Sequence, residues 1–241
     1  MSLVGKVYQG VYEFLCGRHP YYRPWHFQWL FLRETHSWQR RQMKKFKGRV
    51  LDVGCGQKPY ANWITPGNVC EYIGLDVNPG ADITVNVGEK WPVEDKTVDC
   101  ILLTQVMEHL GDPEEVIKEM KRVLKIGGII LVTVPFLHPA HGLPYDYTRY
   151  TQQGITNIFS NGFKIIENTT AGGFGTVMAS LILTWIDGSM NANTITRILK
   201  GILLPVWLLL ALTINLLSVI LDFLDFTNTH YANVCVLVKK L

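Results

Sequence analysis

The run Val50-Leu-Asp-Val-Gly-Cys-Gly56 is apolar and β-branched and ends in two glycines one residue apart, and an acid, Asp76, follows twenty residues after Gly56. Such a run reads as a buried strand, and Gly54 and Gly56 let the backbone beyond it approach a ligand closely. In α/β sheets this turn lies at the carboxyl edge, where ligands bind. An acid ending the next strand suits two hydrogen bonds from the ribose hydroxyls of a nucleoside. A dinucleotide site wants a third glycine three positions after the second, to bring helix and pyrophosphate together. That place is held by Pro59, in Gly56-Gln-Lys-Pro-Tyr60. The pattern therefore points to a nucleoside cofactor that carries no pyrophosphate.

A second polar cluster lies in Pro135-Phe-Leu-His-Pro-Ala-His-Gly-Leu-Pro-Tyr-Asp-Tyr-Thr-Arg149. Its prolines and glycine make it a shaped loop rather than a helix. It gathers His138, His141, Tyr145, Asp146, Tyr147 and Arg149, residue types suited to taking a proton from an acceptor. A histidine near its ordinary pKa of about 6.5 accepts a proton at neutral pH. The assignment is His141 or His138 as general base, Asp146 orienting it, and Arg149 with Tyr145 and Tyr147 holding an anionic or sugar-like acceptor. The plainer alternative is an Asp146–Arg149 pair that only fixes the loop. A metal held by His138, His141 and Asp146 is a further alternative; the primary expectation is no metal.

The bulk properties narrow the class. A net charge of +3 is too small to make nucleic acid the main partner. Five cysteines, odd in number and never spaced C-x-x-C, make neither a disulfide framework nor a zinc site and suit a reducing compartment. The start, MSLVGKVYQGVYEF, has no signal-peptide core, so the expected location is the cytoplasm. The basic run Arg40, Arg41, Lys44, Lys45, Lys47 and Arg49 reads as a solvated helix face, with anionic lipid as its alternative partner.

The elements that must position these residues follow a βαβ alternation. Strands are expected at Arg49–Val53, Tyr72–Asp76, Asp82–Val85, Val98–Leu103, Ile129–Val134, Lys164–Thr169 and Ala232–Val238. The clearest helix is Asp112–Leu124. Asp112-Pro113 opens it, Glu114 and Glu115 lie in its first turn, Lys121, Arg122 and Lys125 near its end, and Gly127-Gly128 stops it. The expected fold is an α/β, Rossmann-like, doubly wound seven-stranded sheet. Residues 1–47 form an aromatic-rich helical segment; 48–170 with 231–241 form the cofactor-binding domain; 171–230 form an apolar helical insertion.

The stretch from Val50 to about Ile166 resembles the class I S-adenosylmethionine (SAM) dependent methyltransferases of the type 11 group. The matching runs are LDVGCG (Leu51–Gly56), GLD (Gly74–Asp76), QVMEHLGDP (Gln105–Pro113), EMKRVLKIGG (Glu119–Gly128) and HPAHGLPYDYTRYT (His138–Thr151). The resemblance implies SAM as cofactor, held by Asp52, Gly54, Cys55, Gly56, Asp76 and Val77, with Asp52 facing its amino group. Asn86 or Val87 would flank the adenine; Asn86 departs from the Asp that many relatives carry. Gln105, in Thr104-Gln105-Val106, would line the methionine end. Glu108-His109 resembles the family's Glu-His pair, with His109 read as a packing residue. The resemblance also implies an antiparallel last strand.

Between the last two strands the run Ile202–Leu221 carries no charge over twenty residues, long enough for a membrane span. The last strand must rejoin the same sheet, so a single crossing is excluded. The expectation is a re-entrant or interfacial helical hairpin within 174–224, anchoring the enzyme as a peripheral or monotopic protein on the inner face of a membrane. A buried cap or a homodimer surface is the alternative. The acceptor expected is a small molecule or a sugar hydroxyl on a lipid-linked glycan, as in relatives of surface-polysaccharide assembly. A quinone or polyketide-like acceptor, or an inactive SAM-binding membrane adaptor, are the alternatives.

Overall fold

In the computed structural model, which describes residues 3–64 and 67–241 (side chains from Tyr8 onward), seven strands form one sheet: β1 Gly48–Val53, β2 Val69–Asp76, β3 Ile83–Thr84, β4 Val98–Thr104, β5 Leu124–Pro135, β6 Phe163–Ala171 and β7 Asn233–Lys240. Their order is β3-β2-β1-β4-β5-β7-β6. The strands from β1 to β5 pair in parallel, while β7 runs antiparallel to both β5 and β6. The sheet is thus the Rossmann-like one expected, with the antiparallel last strand. The central strands are continuous apolar runs because both faces are covered: Val50, Leu51, Ile101, Leu102, Leu131 and Val132 are fully buried.

The chain divides into two compact units. One holds residues 37–136, 140–171 and 233–241, the sheet with its helices; the other holds the residues up to His36, 137–139 and 172–232. The residues up to His36 and nearly all of the apolar insertion, read from the sequence as two pieces, fall in one helical unit, whereas 37–47 of the N-terminal segment belong to the sheet unit.

In the sheet unit, α3 (Pro113–Val123) begins as its sequence dictates: the Asp112 side chain accepts from the Glu114 amide, with proline in the first turn. Its end differs from the expectation. The helix stops at Val123, because Leu124 is already extended and pairs with Val98 at the start of β5. Gly127 and Gly128 therefore lie within β5, where a Cβ on Gly128 would meet the Asp99 carbonyl at 2.9 Å. The short helix α4 (Gln152–Ile158) is capped by Thr151, whose hydroxyl accepts from the Gly154 amide.

The helical unit contains α1 (Leu3–Cys16), α5 (Phe174–Met190), α6 (Thr194–Ile202) and α7 (Leu204–Leu224); α2 (Trp29–Met43) runs across the division at His36. In α7 the buried residues Leu204, Trp207, Ala211, Asn215 and Ser218 recur every three or four positions, so one stripe packs inward. Pro205 sits in the first turn, where it costs no hydrogen bond. Asn215, the polar intruder in the apolar run, donates to the carbonyls of Pro24 and His26 at 2.7 and 3.1 Å. Lys200 is buried, and it reaches Asp187 at 2.6 Å beneath the Tyr8 and Tyr12 rings.

This unit also buries neutral histidines. His26 stacks on Tyr22 and its Nδ1 accepts from the Gln28 amide, which requires a lone pair there. Burial lowers the pKa of His26 and of His36 to about 3. A lowered histidine pKa contributes stability above the unfolded value of about 6.5 that is lost as pH falls towards 3. Acidification from pH 7 to pH 5 is thus expected to cost the helical unit on the order of 2 kcal/mol per histidine. Buried Asp52 in the sheet, raised to about 7 by desolvation, changes in the opposite sense. Segment-resolved hydrogen exchange at the two pH values checks this; uniform or absent deprotection of 8–36 and 174–224 would refute it.

Candidate functional site

The strand ends β1, β2 and β4 open onto a cavity of about 660 Å³ in the sheet unit. Its walls include Val53, Gly54, Asp76, Val77, Asn78, Asn86, Val87, Trp91, Gln105, Val106, His109, Asp112, Glu115, Gly142 and Tyr145. The turn after β1 is built for close approach. Gly54 adopts φ +70° and donates its amide to the Leu75 carbonyl at 2.8 Å. A Cβ there would lie 2.4 Å from Cγ2 of Val106. Gly54→Ala should therefore lower the melting temperature by about 5 °C, combining overlap with a left-handed penalty of about 1–2 kcal/mol. Adding Val106→Ala should recover only part of the loss, because the backbone strain remains. A full recovery would show that overlap alone matters, and a thermal melt decides.

Asp76 organises the floor. Its Oδ2 accepts from the Gly56 amide at 2.9 Å, and its Oδ1 accepts from the Asn78 amide and side chain at 2.9 Å each. Gln105 holds a left-handed backbone at φ +55°, costly for a residue with a side chain, while its side chain donates to Asn233 at 3.2 Å. The side-chain amide of Asn86 is tied to Glu89 at 2.8 Å.

Three of the expected cofactor contacts stand elsewhere. Asp52 is buried in β1 and is no part of the cavity wall; its carboxylate accepts from the Tyr72 hydroxyl, and burial raises its pKa to about 7. A cross-strand partner on β2 has taken the side chain assigned to the cofactor's amino group. Cys55 is also buried off the wall, with its thiol pushed up to about 11. Gly56 acts through its amide on Asp76 rather than by lining the cavity.

At the other end of the cavity the structure assembles a cluster that sequence spacing did not join. A short 3-10 turn, Met107–His109, follows β4. Glu108 in it is fully buried, and neither carboxylate oxygen has a hydrogen-bond partner. The Nε2 atoms of His109 and His141 stand 3.8 and 3.7 Å from its Oε1. His109 is the imidazole on the cavity wall; His141 packs edge-on against it, ring centres 4.9 Å apart. Spacing gave no sign of this, because His141 and Tyr145, which close the cluster around Glu108-His109, lie more than thirty residues along the chain.

The loop beyond is held by an ion pair. Asp146, almost wholly buried, accepts from both terminal nitrogens of Arg149 and from the His141 amide at 2.9 Å. The guanidinium holds its carboxyl well below the usual carboxylate range. Arg149 is thus committed to Asp146 rather than extended as an acceptor clamp. The Asp146 carboxylate lies 3.6 Å from Nδ1 of His141, beyond hydrogen-bond range, so it flanks that ring without fixing it. Tyr145 lines the cavity, whereas Tyr147 stands beside Gly111 outside its wall. His138 belongs to the helical unit, where it stacks on Phe31 at 4.0 Å and pairs with Ser180 at 2.9 Å. Packing, not proximity to the cavity, accounts for it.

The cavity suits SAM by two observations: the left-handed glycine turn at Gly54 forms part of its wall without a side chain, and the Asp76 carboxylate lines the same wall. Asn78, Trp91 and Glu115 join the wall unannounced by any motif; only the position of Trp91 shortly before β4 hints at it.

Comparison with known proteins agrees with this geometry. Residues 27–162, more than half of the chain, match a family model described as a methyltransferase domain. An uncharacterised protein of Methanocaldococcus jannaschii is 33% identical over 56% of this chain and 68% of its own length. A probable S-adenosylmethionine-dependent methyltransferase of Mycolicibacterium smegmatis is 32% identical over 43% of this chain and 48% of its own. Apart from the first of these, the chain spans about half the length of the curated relatives it matches. Among solved structures, a SAM-dependent methyltransferase from Archaeoglobus fulgidus superposes with a TM-score of 0.52 at 16% identity, covering 89% of this chain and 98% of that one. At that identity the likeness speaks for the fold alone.

Proposed function

Because the chain belongs to the family of SAM-dependent methyltransferase domains, we propose that it methylates a hydroxyl of a lipophilic acceptor at a membrane surface, a lipid-linked glycan first among these. SAM, when bound, supplies an electrophilic methyl group. Gly54, Asp76, Val77, Asn78, Asn86 and Val87 would hold its nucleoside part, and Gln105 and Val106 its amino-acid end. The chain's own residues align the acceptor oxygen and remove its proton. The Glu108–His109–His141 cluster supports proton removal, since it brings two imidazoles and a buried carboxylate together where His109 lines the cavity. The cavity wall around Trp91, Leu110 and Val116 is apolar, which suits a greasy acceptor or the cofactor's base.

The observation that carries the membrane part is the surface of the helical unit. α7 has 21 residues and contains an 18-residue window with a mean hydropathy of 2.3, long and apolar enough to cross a membrane, yet only 28% of that window is buried. A core helix apolar all round would be mostly covered. Trp185 on α5, and Ile195, Ile198 and Ile202 on α6, are exposed as well. Exposed apolar side chains on all three helices support docking to lipid as a peripheral or monotopic protein. The five cysteines are all free thiols, in keeping with the cytoplasmic side.

The test is to incubate the protein with methyl-labelled SAM and whole-cell extract of its host, then partition the products. Label in the organic phase, absent with Asp76→Ala, is expected. Label in the aqueous phase alone would overturn the lipophilic acceptor, and no label despite SAM binding would favour an adaptor.

A further inference from the structure

We propose that Glu108, His109 and His141 form a binding site for one divalent transition-metal ion at the edge of the cavity. Their ligand atoms lie within 4.8 Å of one another, the only such group among the described residues. Two of the separations are 3.7 and 3.8 Å, from Nε2 of each imidazole to Oε1 of Glu108. These are too long for hydrogen bonds. They are close to the roughly 3.4 Å that separates neighbouring ligands, each about 2.1 Å from a tetrahedral ion.

The ring orientations point the same way. Nδ1 of His109 is 2.7 Å from the Tyr145 carbonyl, an atom that only accepts, so that nitrogen carries a proton and Nε2 is the atom turned towards Glu108, free to ligate in the neutral ring. Nδ1 of His141 lies on the side of the Asp146 carboxylate, at 3.6 Å, and its Nε2 on the side of Glu108, at 3.7 Å. An imidazole whose far nitrogen faces a carbonyl or carboxylate is the usual orientation of a metal ligand. Asp146 is itself braced by Arg149 and accepts from the His141 amide, so the backbone that carries the ring is held.

Glu108 supplies the second, independent observation. It is fully buried, and both carboxylate oxygens lack any hydrogen-bond partner. Leaving a carboxylate buried and unmatched is costly. A divalent ion between it and the two rings removes that cost. The loop is shaped for the arrangement: Gly142 takes φ +64°, and a Cβ on it would fall 3.0 Å from Cε1 of His109. Two imidazoles and one carboxylate suit zinc, cobalt, manganese or iron(II) rather than magnesium or calcium. Three protein ligands would leave a coordination position for an acceptor hydroxyl, whose proton an ion bound there would make easier to release. That use rests on the methyl-transfer reading above; the existence of the site does not.

The experiment is calorimetric titration of the metal-stripped full chain with Zn2+, repeated with Co2+ while recording its visible absorption. One ion per chain, with Co2+ bands indicating nitrogen ligation, is the expected result. Glu108→Gln and His141→Ala should each weaken binding by at least about 30-fold. His230→Ala, an exposed histidine of the helical unit, should leave it unchanged. SAM binding by the same preparations is measured in parallel, so that loss of the cofactor site is recognised separately. No saturable binding, or binding that survives both Glu108→Gln and His141→Ala, would overturn the proposal.

Discussion

Asp76→Ala is expected to raise the dissociation constant for SAM by about 100-fold or more, with the fold intact. The carboxylate acts in two ways at one place. It accepts from the Gly56 amide and from the backbone and side chain of Asn78, and it lines the cavity at the end of β2. Removing it loosens the glycine turn and takes away the acceptor for the ribose hydroxyls. Charge-assisted hydrogen bonds contribute about 1.5–3 kcal/mol each, and 1.4 kcal/mol is tenfold in affinity. Asp76→Asn keeps the shape and one acceptor oxygen, so it should fall between the two. Calorimetry with SAM, alongside a thermal melt, tests this. A dissociation constant within threefold of the parent would mean that the cavity does not bind its nucleoside at Asp76.

The second large effect is expected on the exposed face of α7. Leu209, Leu217 and Phe223 are 64%, 57% and 81% exposed, while the inward stripe through Trp207, Ala211 and Asn215 is covered. Replacing the three outward residues by aspartate should leave packing alone but reduce partition onto lipid vesicles by about 1000-fold. Each large apolar side chain contributes up to about 1.5–3 kcal/mol when buried, and shallow insertion takes only part of that. Vesicle co-sedimentation of the parent and the triple variant reads the effect directly. Sedimentation of the unmodified chain in detergent-free buffer separates the competing occupant. A stable dimer that the triple variant dissolves, with no vesicle binding by either, would assign the face to a second copy.

His141 and Glu108 illustrate how much of the site could be read in advance. The candidate loop was legible as a polar cluster, and in it the His141 ring stands 3.6 Å from the Asp146 carboxylate without a hydrogen bond to it. What spacing did not reveal is that Glu108-His109, about thirty residues earlier, closes onto the same point. His138, only three residues from His141, belongs to the helical unit and packs on Phe31. Closeness in sequence was therefore a poor guide within this loop, because its path, set by packing at both ends, decides which rings meet.

The sequence by itself determined the sheet, the glycine turn, the acid that ends β2 and the capped start of α3. Each depends on backbone preferences and apolar periodicity within a few residues: Gly54 at positive φ, Asp112 with Pro113, and the buried runs of β1 and β4. Tertiary structure alone decided that Asp52 is spent on Tyr72, that Arg149 is spent on Asp146, and that Asn215 ties an apolar helix to the Pro24–His26 turn. It alone left Glu108 buried between two imidazoles. The physical reason is that a polar side chain must find its partner wherever the fold delivers one, and hydrogen bonds and desolvation act through space rather than along the chain.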